Sequence, residues 1–103
     1  MHPNKISSIS DLEKVFIEYR DTLSWGCDKK FLKSVKKSDN SKRIKLLKQM
    51  EKALNDPYIG KHMSANRKGE LELYVTQSSR LYYYYYEKDN YVFFSEFSHK
   101  DNQ

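Results

Sequence analysis

The side chains with the most chemical potential lie near the end of the chain, in RLYYYYYEKDNYVFFSEFSHKDNQ at positions 80–103. Arg80 precedes five consecutive tyrosines, and His99 and Lys100 follow a second aromatic run. Aromatic rings interleaved with cations suit RNA binding, because bases stack on the rings and cations pair with phosphates. This segment is therefore the first candidate for a functional site.

The partner of Arg80 depends on how the last two strands pair. Tyrosine favours β-structure, and the alternation of a strand sends residues 80, 82, 84 and 86 to one face. A two- or four-residue loop at 87–90 would place His99 beside Arg80. A three-residue loop or a β-bulge would reverse the parity and place Lys100 there instead. We expect the tyrosines that face the helices to be core residues.

Helical patterns fill the first half of the chain. Ser10 and Glu13 form a capping box before a helix predicted over 10–21, and TLSWGC at 22–27 predicts a short strand. Two basic helices follow, the first capped by Asp28 and the second ending before Pro57, with a turn at SDNS, 38–41. The residues expected to face the sheet are Phe31, Leu32 and Val35 in the first helix and Ile44, Leu47, Met50 or Glu51, and Leu54 in the second.

The second half of the chain indicates strands. Residues 58–69 form a predicted polar loop, and ELELYV then alternates charged or aromatic side chains with apolar ones. Turn residues separate this strand from RLYYYYY and YVFFSEF, which together predict a three-stranded antiparallel meander. The expected fold class is α+β, with an antiparallel-rich twisted sheet of about four strands packed against a basic helical hairpin.

Positive charge is concentrated in the two central helices. The whole chain carries +5, whereas ten Lys or Arg against two acids give the segment 29–52 a net charge of +8. This segregation favours a polyanionic partner, either a nucleic acid or an acidic protein segment. The simpler interpretation is that these cations only solvate exposed helix faces.

Composition excludes several classes of protein. At 103 residues the chain predicts a single domain, 1–103. A lone Cys27 and three scattered histidines predict no metal site. No apolar run approaches the ~20 residues of a membrane span, and no secretory signal is visible, so we expect a cytoplasmic protein without a membrane partner.

The order of these elements resembles the RelE/ParE superfamily of type II toxins, in particular its RelE and YafQ-like mRNA interferase branch. The segments that carry the resemblance, over about residues 22–103, are DPYIGK, RKGELELYV, SSRLYYYYY, YVFFSEF and the terminal SHKDNQ. The resemblance implies that 22–103 is the family core and that 1–21 is an N-terminal helical addition. It also implies a ribosome-dependent mRNA endoribonuclease that uses no metal or small-molecule cofactor. Its implied partners are mRNA, the ribosome and a cognate antitoxin.

Family members cleave RNA by attack of a 2′-hydroxyl on its adjacent phosphate, which needs a base, an acid and cations. By resemblance, Arg80 is the phosphate-stabilising arginine, His99 the terminal acid or base, and Lys100 a second cation. Loop residues His62 and Lys68 match positions used for proton transfer or substrate. The expected RNA contacts are Lys61, Arg67, Tyr82, Tyr84, Lys29, Lys33 and Lys36.

One departure from the family concerns base stacking. Many members end with an aromatic residue that stacks on the target base, whereas no aromatic follows Phe97 in this chain. Stacking would then fall to Tyr82, Tyr84 or Tyr74. Two other functions stay open: a ParE-like inhibitor of DNA gyrase without nuclease activity, and a non-catalytic RNA-binding or interaction module.

Overall fold

The computed structural model describes residues 24–99, in which two helices pack on a five-stranded sheet. The predicted helix at 10–21 and Lys100 lie outside these residues. The elements in chain order are β1 (Ser24–Cys27), α1 (Lys29–Lys37), α2 (Asn40–Asn55), β2 (Lys61–His62), β3 (Leu71–Thr76), β4 (Ser79–Tyr86) and β5 (Tyr91–His99). The spatial order of the strands is β1-β5-β4-β3-β2, with β1 parallel to β5 and the other pairs antiparallel.

Aspartates begin both helices. The Asp28 carboxylate accepts a hydrogen bond from the Phe31 N–H at 2.9 Å, as predicted. Asp39 accepts from the Lys42 N–H at 2.8 Å, so α2 begins at Asn40 and the predicted turn at 38–41 is two residues too long. A side chain that satisfies orphan N–H groups fixes where a helix starts. The helix ends before Pro57, as expected.

One hydrophobic core lies between the helices and the sheet. Phe31 stacks on Phe94 with ring centroids 5.9 Å apart, and Val35 is fully buried, which confirms most of the predicted face of α1. In α2, Leu47, Met50 and Leu54 are buried as predicted, whereas Ile44 is half-buried and outside the core cluster. The α2 side chains that are buried are Leu46, Leu47, Met50, Ala53 and Leu54.

The predicted meander of three antiparallel strands is confirmed, but the loop at 58–69 is more ordered than expected. Its residues 61–62 pair with β3 as the fifth strand, and a 3₁₀ turn follows at Ala65–Arg67. Gly69 allows the chain to turn into β3, because its φ of +97° is unfavourable for a residue with a Cβ atom. This turn directs Arg67 back over the sheet.

A β-bulge interrupts the pairing of β4 with β5. Tyr83 pairs with Phe94 and Tyr82 pairs with Glu96, so Ser95 has no opposite residue. Beyond the bulge, Leu81 pairs with Phe97, and both are buried in the core. An extra residue in one strand shifts every later side chain by one position relative to the partner strand. The bulge therefore decides which residues of the last strand share a face with Arg80.

Tyr83 joins the sheet to the loop after α2. Its buried hydroxyl donates to the Pro57 carbonyl at 2.9 Å and accepts from the Gly60 N–H at 3.0 Å. Burial raises the pKa of this phenol. A Cβ atom at Gly60 would lie 2.7 Å from the Tyr83 hydroxyl, so glycine is required there by space.

No helix within residues 24–99 is long and apolar enough to cross a membrane.

Candidate active site

The candidate site lies on the open face, which we define as the face of the sheet opposite the helices. The side chains on this face alternate with the core residues of β3, β4 and β5. Its strand residues are Glu72, Tyr74, Arg80, Tyr82, Tyr84, Tyr86, Tyr91, Phe93, Ser95, Glu96 and Ser98. The side chains of Arg67 and Glu70, from the turn before β3, complete it. Within residues 24–99, both helices pack on the other face.

Arg80 lies at one end of the open face beneath Tyr74. Its Cζ atom is 3.6 Å from the centroid of the Tyr74 ring, a cation–π contact between directly paired residues. Its Nη1 donates to the carbonyls of Thr76, Gln77 and Ser79 at 2.7, 3.2 and 2.9 Å. Arg80 is only 7% exposed, whereas Tyr74 is 63% exposed. The guanidinium thus holds the turn between β3 and β4 and supports an exposed ring.

His99 does not share the face of Arg80. The loop at 87–90 has four residues, which without a bulge would place the two side chains together. The bulge at Ser95 reverses the parity, so Arg80 pairs with Ser98 and His99 pairs with Ser79. The imidazole of His99 instead lies against the buried Phe97, with ring centroids 4.5 Å apart. The first of the two pairings considered from the sequence is therefore wrong.

Arg67 forms the centre of the open face. Its guanidinium donates to Glu70 at 2.6 Å and to Glu96 at 2.5 Å, and its Cζ lies 3.6 Å above the centroid of the Tyr82 ring. Burial disfavours the charge on Arg67, but the hydrogen bonds that Arg67 donates to Glu96 and Glu70 outweigh that effect and raise its pKa. Tyr82 is 8% exposed because Arg67 covers it. The Arg67 side chain is 30% exposed, so part of it stays accessible while both carboxylates are bound.

Glu72 lies between β2 and β4 on the same face. It pairs directly with Lys61 on one side and with Tyr82 on the other. The Tyr82 hydroxyl donates to Glu72 Oε2 at 3.0 Å. Burial, followed by this hydrogen bond, raises the pKa of Tyr82. A proton acceptor and a hydroxyl are thus held together beside the Arg67 cluster.

The far end of the open face is a row of stacked tyrosines. The Tyr84 and Tyr86 ring centroids are 6.0 Å apart, and those of Tyr86 and Tyr91 are 6.1 Å apart, with interplanar angles of 19° and 29°. Tyr86 is 47% exposed, whereas Tyr84 is half-buried. Burial and the charge of Glu70 raise the pKa of Tyr84. These rings offer flat surfaces on which a planar group could stack.

The remaining predicted site residues are dispersed. His62 and Lys61 are exposed on the short edge strand β2, and Lys68 is exposed in the turn after the 3₁₀ segment. The predicted RNA contacts of α1 lie in the helix layer, on the other side of the sheet from the open face, and these are Lys29, Lys33 and Lys36. The predicted RNA-binding set is therefore divided between two surfaces.

The carboxylates of this site were not among the residues predicted from the sequence. Glu70 and Glu72 alternate with leucines in ELELYV, a visible signal that they share one face of a strand. Glu96 carried no such signal, because its face depends on the bulge. The arrangement places three carboxylates, two arginines and several phenols within one surface. No group of His, Cys, Asp and Glu suited to a metal ion occurs in the described part of the chain.

Solved structures of RelE show that this fold is RelE-like. No family model matches the sequence, and no curated protein matches it. A chain of the intact E. coli RelBE toxin–antitoxin complex superposes with a TM-score of 0.65 at 19% identity, covering 76% of this chain and 96% of that one. The isolated E. coli RelE toxin gives a TM-score of 0.64 at 19% identity, covering 76% and 84%.

A third solved structure extends the likeness to archaea. A chain of the RelE–RelB complex from Pyrococcus horikoshii OT3 superposes with a TM-score of 0.62 at 11% identity, covering 80% of this chain and 99% of that one. Identities this low show a shared fold and leave the site residues to be judged on this chain's own geometry. The fold class expected from the sequence is confirmed, with five strands in place of about four.

Proposed function

We propose that this chain is the toxin of a type II toxin–antitoxin system and that it cleaves mRNA on the ribosome. The observation that carries the proposal is a RelE-like fold whose open face holds Arg67 and Arg80 against tyrosine rings. Cations and stackable rings on one exposed sheet face suit single-stranded RNA. The exposed lysines of α1 supply a second surface for the phosphates of a large RNA partner.

The proposed reaction is a transesterification within the RNA. The 2′-oxygen attacks the adjacent phosphorus, the bond to the 5′-oxygen breaks, and the products carry a 2′,3′-cyclic phosphate and a 5′-hydroxyl. Cations stabilise the charge that develops on the phosphate. Because the nucleophile belongs to the substrate, this chemistry can proceed without a metal ion or cofactor when side chains supply the base and the cations.

Arg80 is the phosphate-stabilising residue in this proposal. Since it is 7% exposed beneath Tyr74, a phosphate reaches its guanidinium only when that ring moves aside. The carbonyl oxygens of Thr76 and Ser79 hold the Nη1 end in place during such a movement. Lys61 and Lys68, both exposed, are the flanking cations.

A cognate antitoxin is the proposed regulatory partner. The expected antitoxin segment is acidic or amphipathic and lies over the basic helices and the sheet, because ten cations lie between Lys29 and Lys52. The proposed place of action is the cytoplasm, where mRNA and ribosomes occur together.

The test is induced expression of wild type, Arg80→Ala, His99→Ala and Lys45→Ala in a bacterial translation assay, with growth and the 5′ ends of a reporter mRNA followed together. Cuts within codons should appear with wild type and with Lys45→Ala, an exposed control on α2. Arg80→Ala should lower cutting by about 10²-fold. His99→Ala should lower it less, since His99 faces away from Arg80. An absence of cuts with wild type contradicts the proposal.

One observation favours a second candidate, a poison of DNA gyrase that acts without nuclease chemistry. Arg80 is buried and His99 lies on the opposite face, so the phosphate-stabilising arginine and the terminal acid or base implied by the resemblance do not face one substrate. Growth arrest with intact mRNA, together with loss of plasmid supercoiling, would support this candidate. Neither arrest nor cuts would instead support a non-catalytic module.

A further inference from the structure

We infer that Glu72 is the base that accepts the 2′-hydroxyl proton, an inference that rests on the proposed RNA cleavage. A base must reach the same phosphodiester that the arginine contacts. Since the bulge at Ser95 turns His99 toward the helices, the base on the open face must be a different residue. Carboxylates are the acceptors that the open face provides.

The three carboxylates of the open face differ in how their oxygens are used. Glu70 is 7% exposed, and its oxygens accept from Arg67 at 2.6 Å and from Ser95 at 3.0 Å. Glu96 is paired with the same arginine. Glu72 forms no ion pair within residues 24–99, and its Oε1 accepts no hydrogen bond from them. Glu72 is therefore the carboxylate with an acceptor oxygen available to substrate.

The position of Glu72 suits a proton acceptor close to Arg80. Tyr74 pairs with Arg80, and Glu72 precedes Tyr74 by two residues on the same face, so Glu72 and Arg80 are diagonal neighbours. Diagonal positions in a sheet are about 7–8 Å apart, so a phosphate that reaches Arg80 when Tyr74 moves aside also lies near Glu72. The exposed ring of Tyr74 lies alongside and can stack on an adjoining base.

The surroundings of Glu72 fix its orientation. The Tyr82 hydroxyl holds Oε2 at 3.0 Å, and Arg67 covers the ring of that tyrosine. On the other side, Lys61 is the residue of β2 directly opposite Glu72 in the sheet. Tyr82 is a positioning residue here, because its hydroxyl donates a hydrogen bond to the carboxylate and takes no proton from the substrate.

In the proposed step one bond to phosphorus forms and one breaks. The 2′-hydroxyl proton passes to Glu72 Oε1 as the bond from the 2′-oxygen to phosphorus forms. The bond from phosphorus to the 5′-oxygen breaks with its electron pair on oxygen, which takes a proton from solvent water. Glu72 then returns its proton to solvent, and the fragments carry a 2′,3′-cyclic phosphate and a 5′-hydroxyl.

The test compares wild type, Glu72→Gln, Glu72→Asp and Glu51→Gln in a translation extract. Glutamine keeps the shape of the glutamate side chain and one oxygen that can accept the hydrogen bond from Tyr82. Its amide is too weakly basic to take the 2′-hydroxyl proton. Glu51→Gln, on α2, removes the same charge from the helix layer. We measure the cleavage rate, the 3′-terminal cyclic phosphate, and binding of an uncleavable 2′-O-methyl RNA.

We expect Glu72→Gln to lower the cleavage rate about 10²-fold or more while it binds the 2′-O-methyl RNA as wild type does. Glu72→Asp should recover part of the rate, and Glu51→Gln should cleave at the wild-type rate. Cleavage by Glu72→Gln within about threefold of wild type would overturn this inference and leave the proposed function standing. No cleavage by wild type would overturn both.

Discussion

Arg80 and His99 lie at adjacent ends of β4 and β5, yet their side chains are on opposite faces of the sheet. His99 pairs with Ser79, and Arg80 pairs with Ser98. Ser95 places the two side chains on opposite faces, because it has no partner in β4 and lies between the loop at 87–90 and the strand ends. Its hydroxyl donates to Glu70 at 3.0 Å, which ties the bulge to the carboxylate cluster of the open face.

Deletion of Ser95 should be tolerated, because it removes the extra residue of the bulge. Tyr83 still pairs with Phe94 and Tyr82 with Glu96, so the later residues keep their faces and Phe97 stays in the core. We expect the free energy of unfolding, measured by urea denaturation, to fall by about 1 kcal/mol, because the hydrogen bond to Glu70 is lost. Ser95→Ala keeps the bulge and loses the same hydrogen bond, so it should cost a similar amount. A loss of more than about 3 kcal/mol on deletion alone would mean that Phe97 has left the core and that the pairing depends on the bulge.

Arg80→Ala should weaken the fold as well as any RNA cleavage. The change removes three hydrogen bonds from Nη1 to the turn between β3 and β4, and also the contact with Tyr74. We expect a loss of about 2–3 kcal/mol in urea denaturation, because the carbonyls lose a charged donor. The exposed Lys45→Ala should change stability by less than about 0.5 kcal/mol. An equally stable Arg80→Ala would show that the turn does not depend on the guanidinium.

Removal of Arg67 should destabilise the open face. Arg67→Ala leaves the buried Glu70 carboxylate without its ion pair, and we expect a cost of about 2 kcal/mol. Its exposed neighbour in the same turn, Lys68→Ala, is the matched control and should be nearly neutral. A double-mutant cycle of Arg67→Ala with Glu96→Gln measures the coupling of that pair. Zero coupling would mean that the contact with Glu96 contributes no stability.

The stability of the protein should fall at high pH partly through Tyr58. A hydrogen bond to Glu87, at 2.6 Å, and burial raise the pKa of Tyr58 from 10.0 to about 12. A raised pKa means that the folded state holds the proton more tightly than the unfolded chain does. The resulting stabilisation is complete below about pH 10 and is lost as the pH rises toward about 12.

The measurement is urea denaturation of wild type and Tyr58→Phe at about pH 9 and about pH 11. Burial raises the pKa values of Tyr82, Tyr83 and Tyr84 as well, so both proteins should lose stability across this interval. The loss should be smaller in Tyr58→Phe. Equal losses would show that Tyr58 titrates normally in the folded state.

The local elements could be predicted because their signals are local. Asp28 caps α1, Phe31 and Val35 face the core, and the tyrosine run forms a strand, as their types and spacing indicate. Errors occurred where pairing with a distant segment decides the outcome. Lys61 and His62 form a strand only because β3 lies beside them, and two residues carry too little pattern to reveal it.

The sequence by itself determined that one face of β4 would join the core and that Arg80 would lie on the other, since a strand alternates its side chains whatever its partner. Only the tertiary structure decided which residues of β5 join Arg80. A bulge is a property of two paired strands, and the alternation within one strand does not show that Ser95 is the extra residue. That one unpaired residue removes His99 from the open face and brings Glu96 to Arg67.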